Sequence, residues 1–256
     1  MNIDTVLFDM GGTIEDIHYD RALRMKAFPQ ILAILANEGI ALPGDLHAIF
    51  DAILARNAEY KAWSEKAMIE SPPEEIWSGW NLRDFSVPAQ AIAKIAEHLA
   101  YTWETSFFHR RMRPDAASTL AAIAERGYKL GVISNTSSRT QVFRTLEDYG
   151  IADYFECVIL SSIEGVRKPH RAIFEAALTA MGSQAESTAY VGDTLSRDVI
   201  GSKRAGYALA FQITSFLTAG SDAKVVPGSA KPDFAVERLS DIIPILDSLK
   251  ARRDEA

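Results

Sequence analysis

Three apolar runs of the chain end in groups that can do chemistry, and a lysine stands between the second and third. Thr5-Val6-Leu7-Phe8 closes on Asp9 and is followed by Met10-Gly11-Gly12-Thr13. Leu130-Gly131-Val132-Ile133 ends in Ser134-Asn135-Thr136, and Tyr190-Val191-Gly192 ends in Asp193, with Asp198 close behind. Val166-Arg167-Lys168-Pro169 sets the lysine beside a proline that opens a helical pattern. A β-branched and aromatic run that closes on an acid and glycines reads as a buried strand delivering a carboxylate to a loop. In open α/β sheets, ligands bind in the crevice at the carboxyl ends of the strands. Glycines there let backbone N–H groups approach an anion without a Cβ in the way. Taken singly, each group has a plainer reading: an acid after a strand is commonly a solvated turn residue, and a lysine before a helix a solvated side chain.

Apolar spacing predicts the elements that must position these groups. Helical patterns cover Leu23–Leu35, Leu46–Leu54 and Ala89–Phe107, punctuated by Gly39, Pro43-Gly44, Pro72-Pro73 and Pro88. No strand pattern is evident between the first strand and Pro114. From there helix and strand alternate: Asp115–Arg126 helix, Tyr128–Ser134 strand, Arg139–Tyr149 helix, Cys157–Ser162 strand, Arg171–Met181 helix and Thr188–Asp193 strand. Ser196–Ala205 follows as helix, Tyr207–Ile213 as strand, Asp233–Val236 as a short strand and Asp241–Leu249 as helix. Strands separated by helices imply an α/β fold, a doubly wound, mostly parallel sheet covered on both faces. The helical stretch interrupts it as an insert, giving residues 1–16 and 110–256 as the core and 17–109 as an α-helical second domain.

Composition narrows the class. With 256 residues, 48% hydrophobic and 24% charged, the chain can bury a large core. A formal charge of −7 argues against nucleic acid or an anionic membrane as the main partner. Cys157, the single cysteine, excludes an internal disulfide framework and reads as buried packing. Neither a secretory leader nor a membrane-length apolar run is evident, so a cytoplasmic protein is the expectation. His47, His98, His109 and His170 lack metal-ligand spacing.

The order and context of the strand-end groups resemble the four motifs of the haloacid dehalogenase-like superfamily of hydrolases, across residues 3–16 and 110–215. The resemblance implies a Rossmann-like catalytic core, with the insert as a helical cap that closes over the site and expels water. It implies that Asp9 attacks phosphorus and forms an aspartyl-phosphate that water hydrolyses. A carboxylate alone repels a phosphate dianion, so cations are needed. The family's Mg²⁺ would be held by Asp9, Asp193 and the backbone carbonyl of Gly11, with Asp198 as the outer acid orienting a metal-bound water or Lys168. Ser134 and Lys168 join Asp9 as catalytic groups, and Gly12, Thr13, Ser134, Asn135 and Lys168 make the phosphate cradle. A small phosphorylated metabolite is the implied substrate; oligomeric state is not legible.

One departure from the family pattern bears on function. Phosphatases of the family usually carry a second Asp two residues after the nucleophile, where it protonates the leaving group, a role worth roughly 10²–10⁴-fold. This chain has Gly11 there. The protein is then a phosphatase with another acid or a good leaving group, a hydrolase of carbon–halogen or carbon–phosphorus bonds, or a phospho-ligand binder of little activity. Retained Asp193 argues against dehalogenation, and retained Lys168-Pro169 against carbon–phosphorus cleavage, for which Lys61 or Lys66 would be the cap lysine. A phosphatase is therefore the first expectation. Glu15, Asp16 and His18 are candidate substitute acids. Trp63, Trp77, Trp80 and Trp103 read as the core of the insert, with Trp77 or Trp80 as alternative pocket residues. His109-Arg110-Arg111-Met112-Arg113 reads as a charged hinge face, with attraction of an anionic substrate as the alternative.

Overall fold

Strand β1 (Thr5–Phe8) is buried along its whole length, and its side chains divide between two cores. Val6 and Phe8 enter one apolar cluster with the helices α5 (Ala116–Glu125) and α11 (Ile242–Asp254). Leu7 enters another with α8 (Arg171–Met181). Alternate side chains of a strand point to opposite faces, so β1 must have helices on both sides. The computed structural model describes residues 2–254 apart from 224, 227 and 229.

The remaining strands of this sheet are β4 (Lys129–Ser134), β5 (Cys157–Leu160), β6 (Thr188–Gly192), β7 (Leu209–Ile213) and β8 (Phe234–Val236), in the spatial order β5-β4-β1-β6-β7-β8. Every pairing is parallel. The chain leaves β1 toward β4 on one side and reaches β6 on the other, which makes the carboxyl end of β1 a topological switch point.

The expectation of no strand between β1 and Pro114 is corrected. β2 (Glu15–His18) pairs antiparallel with β3 (His109–Met112), across both ends of the helical insert. The sequences EDIH and HRRM are short and polar, and their alternation carries too few apolar side chains to register as a strand pattern. The insert comprises α1 (Arg21–Asn37), α2 (Leu46–Ala67), α3 (Pro73–Glu75) with a π-turn over Ile76–Asn81, and α4 (Ala89–Ser106). It packs around its own apolar cluster, with Phe28, Phe50, Trp77, Leu99 and Trp103 inside. Trp77, 1% exposed, is core rather than pocket lining, whereas Trp63 is 37% exposed. α2 runs well past Leu54, to Ala67; its second half is mostly polar and exposed, with Tyr60 and Ser64 buried. Among the described residues, no helix is long and apolar enough to cross a membrane.

Candidate active site

The parallel register fixes which groups meet. Phe8 pairs with Val132 of β4 and Val191 of β6, so Asp9, Ser134 and Asp193 leave the sheet from the same edge. Asp9 N–H donates to Val191 O at 2.8 Å, which carries the ladder one residue beyond β1. Asp198 comes from the π-turn Leu195–Val199 that precedes α9 (Ile200–Arg204); irregular turns of this kind are frequent at functional sites. One carboxylate oxygen from each of Asp9, Asp193 and Asp198 lies within 4.8 Å of the others, and all three residues are buried.

Lys168 holds this cluster together. Its Nζ donates to Asp9 Oδ1 at 2.6 Å, to Asp198 Oδ1 at 2.7 Å and to Tyr190 Oη at 2.9 Å. Asn135 fixes the lysine backbone from both sides: its Oδ1 accepts from Lys168 N at 2.9 Å and its Nδ2 donates to Lys168 O at 3.1 Å. The Asn135 side chain is thus spent on positioning Lys168, while the expectation for the phosphate cradle concerns its backbone N–H. Asp198 commits its other oxygen to Thr194, accepting from N at 3.0 Å and from Oγ1 at 2.6 Å. Asp9 Oδ2 accepts from Thr13 Oγ1 at 3.4 Å. Asp193 is held by Ser215 Oγ at Oδ2, while Thr218 Oγ1 donates to its carbonyl at 2.8 Å.

Charge sets the protonation of the cluster. Burial raises the Asp9 carboxyl, against the pull of Lys168. Burial, then the charges of Asp198 and Asp9, push Asp193 up to about 8. Burial alone would raise Asp198 too, but Lys168 and Arg197 hold it below the usual carboxylate range. Lys168 rises above its ordinary value, because Asp198 and Asp9 outweigh the burial that disfavours its charge. Three acids facing one lysine and Arg197 are therefore short of positive charge.

The donor set fits a hard divalent ion. Asp193 Oδ1 is buried without a hydrogen-bond partner among the described residues. Unpaired buried oxygens are rare, and one on an acid that stands in a cluster with two further carboxylates is the pattern a cation completes. Asp198, with both oxygens spoken for, suits an outer position better than a direct one. The Gly11–Glu15 bridge runs through Met10 O and Gly12 N–H, leaving the Gly11 carbonyl outside that ladder. Gly12 has φ +94°, and a Cβ there would collide with the Asp193 carboxylate. Its N–H donates to Glu15 O at 2.8 Å, so the expected Gly12 amide in the phosphate cradle is already committed.

The candidate substitute acids go separate ways. Glu15 is buried, with Oε1 on Arg110 and Oε2 accepting from Tyr149 Oη at 3.0 Å. Asp16 pairs with Arg113 at 3.3 Å. His18 is exposed, its ring centroid 5.0 Å from that of Phe216. In the basic cluster His109 and Arg111 are exposed, whereas Arg110 and Arg113 are partly buried. Arg110 bridges Glu15 and Glu104, and Arg113 donates to Gly12 O at 2.8 Å.

Further bonds tie the insert to the site. Glu97 of α4 accepts from Ser138 Oγ at 2.6 Å, Arg139 N at 3.0 Å and Thr140 N at 3.1 Å, in the loop after Ser134. Arg167, the neighbour of Lys168, donates to Ser64 of α2 at 2.7 Å and pairs with Glu70 at 3.3 Å. Sequence reasoning missed Tyr190, Ser215, Thr218 and Arg197. Tyr190 alone left a signal, a hydroxyl inside an otherwise apolar strand.

Comparison with known proteins places the chain. The family profile described as haloacid dehalogenase-like hydrolase matches residues 3–206. A glyceraldehyde 3-phosphate phosphatase of Pyrococcus abyssi is 40% identical over 102 residues, covering 40% of this chain and 42% of that protein. One of Methanopyrus kandleri is 30% identical over 161 residues, covering 62% and 64% respectively. The chain thus aligns with less than two thirds of these relatives' length. The crystal structure of a HAD phosphatase from Thermococcus onnurineus superposes with TM-score 0.58 at 25% identity, covering 95% of this chain and 98% of that one. A 2-haloacid dehalogenase from Pseudomonas syringae pv. Tomato DC3000 has TM-score 0.61 at 20% identity over 96% and 99%, which speaks for the fold alone. A profile spanning most of the chain, over motifs that converge on one buried cluster, makes this protein a member of the haloacid dehalogenase-like hydrolase family.

Proposed function

We propose that the protein is a Mg²⁺-dependent phosphatase acting on a small phosphorylated metabolite through an aspartyl-phosphate on Asp9. The observation that carries this reading is the position of Lys168, bonded to Asp9 at 2.6 Å and Asp198 at 2.7 Å, in a cluster whose third acid, Asp193, has an unpartnered oxygen. Lys168 takes Oδ1 of Asp9 and thereby orients Oδ2 as the attacking atom. The same ammonium balances charge on the nonbridging oxygens of the phosphoryl group, and the Ser134 hydroxyl donates to them. Asn135 and Asp198 are positioning residues, since both act through Lys168. Asp9, Asp193 and the Gly11 carbonyl would hold Mg²⁺, which when bound neutralises the acids and the phosphoryl oxygens.

In this reading residues 1–16 and 110–256 are the catalytic core and 17–109 a cap that excludes water. The relatives' name, glyceraldehyde 3-phosphate phosphatase, supports a small sugar phosphate as the substrate class. Retained Asp193 and Lys168-Pro169 disfavour carbon–halogen and carbon–phosphorus cleavage. The test is phosphate release from a panel of phosphorylated metabolites, including glyceraldehyde 3-phosphate, with Mg²⁺ and with a chelator. Metal-dependent release is expected. No release from any member by the folded protein overturns the phosphatase reading, and a phosphorylated ligand that then raises Tm makes the protein a binder.

A further inference from the structure

Glu70, just after α2, is a carboxylate only 4% exposed that reaches both loops of the candidate site. Its Oε1 accepts from Tyr60 Oη within the insert. Its Oε2 faces the core, accepting from Ser161 Oγ at 2.9 Å and pairing with Arg167 at 3.3 Å. Ser161 follows β5, and its Oγ in turn accepts at 3.0 Å from the backbone N–H of Thr136, two residues beyond Ser134. Arg167 immediately precedes Lys168. One oxygen of the insert thus stands a single side chain from the backbone of the Ser134 loop and one residue from the lysine that binds Asp9.

The backbone repeats the connection. Glu70 N donates to Gly165 O at 3.0 Å and Arg167 N donates to Met68 O at 3.1 Å, so Met68-Ile69-Glu70 lies antiparallel to the segment that ends at Lys168. Among the described residues, Met68 alone of the non-glycines has positive φ, +57°. A left-handed helix end is ordinarily glycine, and a side chain persists there where the surrounding structure holds it. The ion pair is not arranged for stability alone. Arg167 Nε is buried with no hydrogen-bond partner among the described residues, and a buried pair commonly gains nothing over apolar residues of the same volume. What such bonds supply is direction, since they fix distance and angle where apolar contact does not.

We propose that Glu70 is a positioning residue that sets the Ser134 loop against Lys168, so that the phosphoryl site is complete only while Met68-Ile69-Glu70 is paired with residues 165–167. The inference rests on the phosphatase reading above. Positioning acts on the chemical step, where a misplacement of about 1 Å can cost roughly 10²-fold, whereas a contact made equally in ground and transition states acts on KM.

Hydrolysis of p-nitrophenyl phosphate with Mg²⁺, and Tm, are measured for the wild type, Glu70→Gln and the double variant Glu70→Leu with Arg167→Met. Glu70→Gln should lower kcat by about tenfold, with KM changed by less than about twofold. The double variant exchanges the buried pair for apolar residues of similar volume. Its Tm should stay within about five degrees of wild type while kcat falls by about 10²-fold, a separation that a merely structural role would not produce. A kcat within about twofold of wild type in either variant overturns the inference and leaves the phosphatase reading standing. A loss confined to KM does the same. Absence of hydrolysis by the wild type, on this substrate and on the metabolite panel above, removes both.

Discussion

Ile17 fills the space that a side chain at Gly11 would need: an ideal Cβ there would lie 2.6 Å from Ile17 Cδ1. Steric occupation by a buried neighbour, rather than backbone conformation, keeps residue 11 small, since the left-handed glycine of this loop is Gly12. Gly11→Asp, which restores the family's usual acid, should therefore act only weakly alone. Combined with Ile17→Ala, it should raise turnover of alkyl phosphates toward the roughly 10²-fold that a positioned acid supplies, with p-nitrophenyl phosphate little changed. Steady-state kinetics on both substrate types is the check, and an equal rise on both would mean that the acid is not protonating the leaving group.

Asp9→Asn should abolish hydrolysis while the fold persists, because the amide keeps the shape of the carboxylate and Lys168 retains Asp198. The expected loss is about 10³-fold or more, given that a nucleophile has no stand-in. A phosphate-release assay alongside a melting curve checks it. Residual turnover near the wild-type level would remove Asp9 as the nucleophile.

Asp193→Asn and Asp198→Asn should part company. The first removes the negative charge of the acid whose Oδ1 is buried and unpartnered, and activity should not return at any practical Mg²⁺ concentration. The second loosens Lys168 and Thr194 from outside, and extra metal should recover part of a loss of about 10–100-fold. Titrating Mg²⁺ against rate separates them, with identical unrescued losses counting against an outer role for Asp198.

The metal-free protein should lose stability as pH rises. Asp193 has a folded value of about 8, raised above its ordinary value of 3.8 by burial and by its acidic neighbours. A carboxyl raised on folding binds more protons folded than unfolded, so its contribution falls between those two values and is fully lost above about 8. Tm of the chelator-treated protein should thus drop between pH 5 and 8.5, and Asp193→Asn should flatten the drop by several degrees, one pKa unit being about 1.4 kcal/mol. The stabilisation that Mg²⁺ confers should grow over the same range, because binding requires the ionised form. A Tm that climbs with pH in the metal-free wild type would contradict the raised Asp193.

The sequence alone carried the parallel sheet and most of the site. Apolar runs such as Thr5–Phe8 and Thr188–Gly192 are strands by local pattern, and a parallel sheet delivers the residues after them, Asp9 and Asp193, to one edge. Lys168 and Asp198 were legible only as members of the same ordered set. Tertiary structure decided the rest, for reasons a linear reading cannot reach. β2 and β3 become strands through pairing with each other across the insert, not through their own composition. Ser215 reaches Asp193 from a separate loop, and the Asn135 side chain turns to the backbone of Lys168. Glu15 is withdrawn from the chemistry by Arg110 and Tyr149, from the far end of the insert and another helix end. A hydrogen bond is set by distance and direction, and side chains far apart along the chain acquire both only when the whole fold closes.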